Sequence, residues 1–144
     1  MKALKTLIRL QRRTLNELRK VLGDLERQRG QLIQASLKLS DELQQEIEFA
    51  SGLPEMGNFF GNFSKRIQKR QQDIAVEVRK VDVKAEEVRK QIAEAFSETK
   101  KYEIALENWE REQLVEANRK ETILLDDIGI QQYGRVFEEG ASST

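Results

Sequence analysis

The chain has no cysteine, no histidine and a single proline, Pro54. Without cysteine there is neither a disulfide framework nor thiol chemistry, which suits a cytoplasmic setting. An enzyme needs nucleophiles, bases or metal ligands converging on a water-excluded site, and with no histidine, no cysteine and no glycine-rich phosphate loop, catalysis is not expected. No run approaches the roughly 18 consecutive apolar residues of a membrane span. The first residues, Met1-Lys2-Ala3-Leu4-Lys5, lead into Arg9, Arg12 and Arg13 rather than an unbroken apolar segment, so no cleaved signal is expected. Net charge is absent as well: 25 basic side chains balance 25 acidic ones. That balance removes the sequence-independent pull of a phosphate backbone, and nucleic acid is not the expected partner. Aromatics are 6% of the chain, and no stretch alternates β-branched with polar residues as a strand would.

What is present is periodicity. From Leu4, steps of four and three reach Ile8, Gln11, Leu15, Leu18, Leu22, Leu25, Arg29, Leu32, Ser36, Leu39, Leu43, Glu46 and Ala50, and ten of these 14 positions are apolar. A second series runs through Ile74, Val78, Val81, Ala85, Val88, Ile92, Ala95, Thr99, Tyr102, Leu106 and Trp109, in which only Thr99 is clearly polar. A mean spacing of 3.5 residues held this long predicts a left-handed coiled coil rather than a globular amphipathic helix. The expected fold is therefore all-α: two long helices in an antiparallel coiled-coil hairpin, the second longer than the first.

Gly52 and Pro54 punctuate the two series, glycine by ending a helix in the left-handed conformation and proline by lacking the amide hydrogen to continue one. The reading is a single hairpin over residues 1–137, with a helix at about 3–50, a turn at about 51–60 and a helix at about 61–135 capped by Asn62 or Ser64. Residues 138–144 read as a disordered tail. If the turn centres near residue 55, antiparallel partners have numbers summing to about 110, which sets Leu18 opposite Ile92, Leu32 opposite Val78 and Gln11 opposite Thr99. The same register exhausts the first helix near residue 108. Beyond it the seam fails at Gln113, Glu116 and Lys120, then apolar residues return out of phase from Ile123 to Phe137. Such an unpaired apolar face is expected to bury itself against another protein or to fold back.

The remaining candidates for chemistry are few. Glu86-Glu87 and Asp126-Asp127 are adjacent carboxylates, but neighbouring helical residues point about 100° apart and do not converge on a metal, so they read as solvated surface. Neither metal nor cofactor is expected. Lys65, Arg66, Lys69 and Arg70 form a basic cluster just after Phe59, Phe60 and Phe63, either closing the hairpin end or docking on an acidic, partly apolar surface. Gly23 and Gly30 lie inside the first helix at a cost of about 1 kcal/mol each relative to alanine, and Arg29 on the seam is expected to carry its guanidinium out past its apolar stem. Charge is uneven along the chain: residues 1–30 hold nine basic and three acidic side chains, and residues 101–144 hold five basic and ten acidic.

The chain resembles the FliJ/YscO family, small stalk proteins of bacterial flagellar and related type III export systems. The resemblance covers nearly the whole length and rests on the two-helix layout, on Leu4-Lys5-Thr6-Leu7-Ile8-Arg9-Leu10, on Lys100-Lys101-Tyr102-Glu103-Ile104-Ala105-Leu106-Glu107 and on Leu125-Asp126-Asp127-Ile128. It implies a non-enzymatic, cytoplasmic protein, peripheral to the inner-membrane export apparatus and monomeric alone. Such a protein links the hexameric export ATPase to the membrane export gate (FlhA or its equivalent), promotes ATPase assembly and handles export chaperones. An aromatic followed four residues later by an aliphatic, the family's gate-contact pattern, matches Phe63 and Ile67, beside the cations Lys65, Arg66, Lys69 and Arg70. The ends away from the turn would face the ATPase, through Arg9, Arg12 and Arg13 for charge and Leu124 and Ile128 for apolar contact. The alternative from a different class is a self-associating coiled-coil scaffold in which the overhang dimerises.

Overall fold

The computed structural model describes residues 2–52, 55 and 57–142, without the side chains of residues 58 and 139–142. Two helices account for nearly all of it, α1 at Lys2–Ala50 with 49 residues and α2 at Gly57–Ser142 with 86. They form an antiparallel helical hairpin in which the second helix is the longer. Contacts divide the chain into two compact units: residues 10–98, and residues 1–9 with 99–144.

In the larger unit the predicted seam is the buried seam. Leu15, Ile74, Val81, Ala85 and Ala95 are buried, and Leu18, Leu22, Leu25, Leu32, Leu39, Leu43, Val78, Val88 and Ile92 are half-buried. Half-burial is what a two-helix seam can provide, because each side chain has a partner on one side only. The register shows in polar contacts across the pair. Arg29 Nε donates to Asp82 Oδ1 at 2.8 Å, Gln71 Nε2 donates to the Ser36 carbonyl at 3.1 Å and to Ser40 Oγ at 2.7 Å, and Arg89 stands 3.9 Å from Glu26. All four pairs fall within about five of the expected sum of residue numbers. A displacement by one heptad would break each of them. Arg29 is the one seam position of α1 left exposed, and its side chain is 48% accessible at the solvent edge, as its long stem permits.

The hairpin end differs from the sequence reading in three ways. No described residue has a positive φ, so Gly52 does not end α1 in the left-handed conformation. The last carbonyls are closed instead by Ser51 N–H to Ile47 O at 3.0 Å, Ser51 Oγ to Glu48 O at 2.8 Å and Gly52 N–H to Phe49 O at 3.4 Å. Pro54 lies outside the described residues. Second, α2 begins at Gly57, so Asn62 and Ser64 lie within the helix and do not cap it. The reason is packing: the seam continues backwards from Ile74 through Gln71, Ile67, Ser64 and Phe60, all buried or half-buried, and this cover outweighs the poor helix propensity of Gly57 and Gly61. Third, α2 runs on to Ser142, through residues 138–142 of the expected tail, while residues 143 and 144 lie outside the described range. Glu138 and Glu139 are good helix formers and prolong an already nucleated helix.

The smaller unit packs the first turns of α1 on α2. Leu4, Ile8 and Thr99 are buried, and Tyr102, Leu106 and Trp109 half-buried. No buried side-chain nitrogen or oxygen among the described residues lacks a hydrogen-bond partner, so Thr99 carries no desolvation penalty. Past Trp109 the cover stops. From Glu110 to Glu138 every side chain is exposed except Glu116 and Gly134, which are intermediate.

Candidate functional site

Two surfaces carry the residues singled out from sequence. The first is the start of α2 in the larger unit. There Lys65, Arg66, Lys69 and Arg70 are all exposed, Phe63 is half-buried, and Ile67 is buried at 5% accessibility. Ile67 therefore sits in the hairpin seam and offers no surface to a partner. Its burial was legible, because three-and-four steps backwards from Ile74 land on it. Lys69 Nζ pairs with Asp73 Oδ1 at 3.2 Å, and Arg70 reaches Glu77 at 4.0 Å. These pairs are solvent-exposed and contribute little stability, a few tenths of a kcal/mol at most by the general behaviour of exposed helix pairs. Lys65 and Arg66 have no ion-pair partner among the described residues. Sequence reasoning passed over Phe49, 58% exposed at the end of α1, while Phe59 is 52% exposed. Neither lies on the seam, and for Phe49 that is the signal in the sequence that marks it as exposed.

The second surface is the uncovered part of α2 in the smaller unit. Leu124 is 59% and Ile128 41% exposed, and they are accompanied by exposed Leu114, Val115, Ile123, Leu125, Ile130, Tyr133, Val136 and Phe137. Residues 124 and 128 are one helical turn apart and share a side. Leu124 stands about 22 Å along the helix axis beyond Trp109, the last half-buried seam residue. Arg9 is exposed on the α1 segment of this unit, and no ion pair joins it to another described residue. Arg12 and Arg13, also exposed, belong to the larger unit, where Arg13 Nε lies 3.4 Å from Glu17. The five residues assigned to one end are thus distributed over both units. The charges on this stretch of α2 are arranged locally. Arg119 donates to both Glu116 oxygens, at 2.7 and 3.1 Å, and that hydrogen bonding holds the Glu116 carboxyl below its ordinary value against a small opposing effect of burial, with Lys120 helping. The same bond raises Arg119.

Nothing here has the make-up of a reaction centre. Among the described residues no group of three acidic side chains could hold a metal ion, and the depressions along the larger unit are shallow grooves between the helices. No described helix is long and apolar enough to cross a membrane. The sequence profile of the family described as Flagellar FliJ protein matches residues 1–136. The chain belongs to the FliJ family. Comparison with curated proteins and with solved structures finds no match. FliJ family proteins are non-enzymatic coiled-coil components of the flagellar and type III export apparatus, and membership implies interaction with the export ATPase and with membrane export-gate components.

Proposed function

We propose that this FliJ family protein is the central stalk and adaptor of an export apparatus, joining the hexameric export ATPase to the membrane gate protein FlhA or its equivalent, and promoting ATPase assembly. The observation that carries the reading is the contrast along α2: covered as far as Trp109, then uncovered through a run of exposed apolar side chains from Leu114 to Phe137. An apolar stretch of that length is stable in water chiefly as a binding surface. Burial of Leu124 and Ile128 contributes about 1.5–3 kcal/mol each on complete desolvation, enough to decide affinity, whereas Arg9, Arg12 and Arg13 mainly set encounter rate and salt dependence. Lys65, Arg66, Lys69, Arg70 and Phe63 face the gate in this reading, with Ile67 holding from the interior the helix that displays them. Handling of export chaperones and a monomeric state before assembly complete the proposal.

The test is truncation after residue 110. The shortened protein should keep a cooperative thermal transition, since the covered seam ends at Trp109, and should no longer stimulate the ATPase. Full stimulation by the truncated chain would remove the exposed segment from the ATPase contact and favour the self-associating scaffold, which light scattering of the intact chain would then reveal as a dimer.

A further inference from the structure

At the hairpin end of the larger unit, Phe59, Phe63, Arg66 and Arg70 follow one another along α2 at intervals of four, three and four residues, and so stand on one side of the helix. Phe63 immediately precedes the seam residue Ser64, as Phe49 on α1 precedes Ala50. Residues that precede a seam position in this way lie on the same side of an antiparallel pair. The groove lower in the same unit shows it, because Val21, Lys84 and Gln91, which precede Leu22, Ala85 and Ile92, line it together. Phe49 therefore joins the α2 stripe on one side of the hairpin.

We propose that Phe49, Phe59 and Arg66 form a docking surface for an acidic protein surface that presents an apolar recess. Phe49 and Phe59 are each more than half exposed, at 58% and 52%, a poor arrangement for two phenylalanines that only close a turn. Arg66 has no partner among the described residues, so a carboxylate on the incoming surface meets a guanidinium free to form a bidentate pair. Aromatics beside arginine are the composition of binding hot spots. Charge decides between a protein and an anionic bilayer as occupant. Residues 41–70 hold the four cations Lys65, Arg66, Lys69 and Arg70, but also Asp41, Glu42, Glu46, Glu48 and Glu55. An anionic bilayer is held best by uniformly basic charge within a Debye length of about 8–10 Å, whereas Glu46, Glu48 and Glu55 share this hairpin end with the cations. A folded partner pairs with individual side chains and can place its acids against the arginines alone. The inference rests on the reading that the hairpin end meets the export gate, and it moves the direct contact from the buried Ile67 to two exposed phenylalanines.

The full-length chain is titrated calorimetrically with the cytosolic domain of the export-gate protein and, separately, tested for co-sedimentation with vesicles of phosphatidylglycerol and phosphatidylethanolamine. The double variant Phe49→Ala with Phe59→Ala should weaken gate binding on the order of tenfold or more. Arg66→Glu should weaken it and reduce its dependence on salt. Val83→Ala, at a position 71% exposed elsewhere on the same unit, should change nothing. All three should retain the wild-type melting curve, since none removes a buried side chain. If the wild type binds the gate domain and the double variant binds equally well, the docking surface is wrong and the adaptor reading stands. If the wild type does not bind the gate domain, both fall. Vesicle binding that is lost in the double variant would assign the surface to lipid and overturn the proposal.

Discussion

Two stretches of the same helix have opposite fates. Between Ile67 and Trp109, α2 places its apolar residues every three or four positions and α1 covers them; between Leu114 and Phe137 it carries large apolar residues that nothing covers. Apolar content alone therefore does not make a core. What separates the stretches is phase: a stripe repeating every 3.5 residues can follow one partner over many turns, whereas Leu114, Ile123, Leu125, Ile130 and Phe137 point in several directions and no single helix could bury them. The first stretch holds the fold together. The second remains available to a partner.

The sharpest way to break this contrast is to make the same kind of truncation on each side of it. Ile74 is 2% exposed, and Ile74→Ala should lower unfolding stability by about 2–5 kcal/mol in urea titrations. Leu124→Ala should leave stability within about 0.5 kcal/mol of wild type, as exposed substitutions do, and weaken ATPase binding instead. Equal losses of stability at both positions would mean that the far stretch of α2 is covered in solution.

A smaller effect of opposite sign is expected at Gly30. A Cβ built there meets nothing within 4 Å, so the glycine serves no close approach between the helices. Gly30→Ala should raise stability by about 0.5–1 kcal/mol through helix propensity alone. An unchanged or lowered thermal midpoint would show that the glycine has a role in the seam beside the Arg29–Asp82 pair.

The smallest effect concerns the exposed stretch. Glu116 is held below its ordinary carboxyl value by Arg119, so the helix stabilisation from this pair is fully present above the unfolded-state value and is lost as pH falls through the lower, folded-state one. Helicity measured by circular dichroism should therefore be slightly greater in wild type than in Glu116→Gln near neutrality, with the two converging in acid. Superimposable profiles across the whole range would mean that the pair contributes nothing in water, as many exposed pairs do not.

Much of this was legible without coordinates. The seam from Leu4 to Ala50 and from Ile74 to Trp109 and the loss of pattern after Trp109 follow from spacing, because a 3.5-residue repeat leaves only one side on which two helices can meet, and the antiparallel sense follows from the short break around Gly52 and Pro54. The candidate sites were legible only in part. Phe63 and the four cations could be named from composition, but Ile67 was assigned to a partner-facing surface when its place in the repeat put it inside. Phe49 stands in the other helix, far from the basic cluster in sequence, so composition alone does not connect the two.

By itself the sequence determined that the chain is two helices, where their shared stripe runs and in what register they pair, since these depend on residue spacing and local propensity. Only the tertiary structure decided where α2 starts, which phenylalanines the hairpin end leaves exposed, and how far cover extends toward the chain ends. Those outcomes depend on whether a partner helix is present at each turn, and cover is a property of two segments together that neither can encode alone.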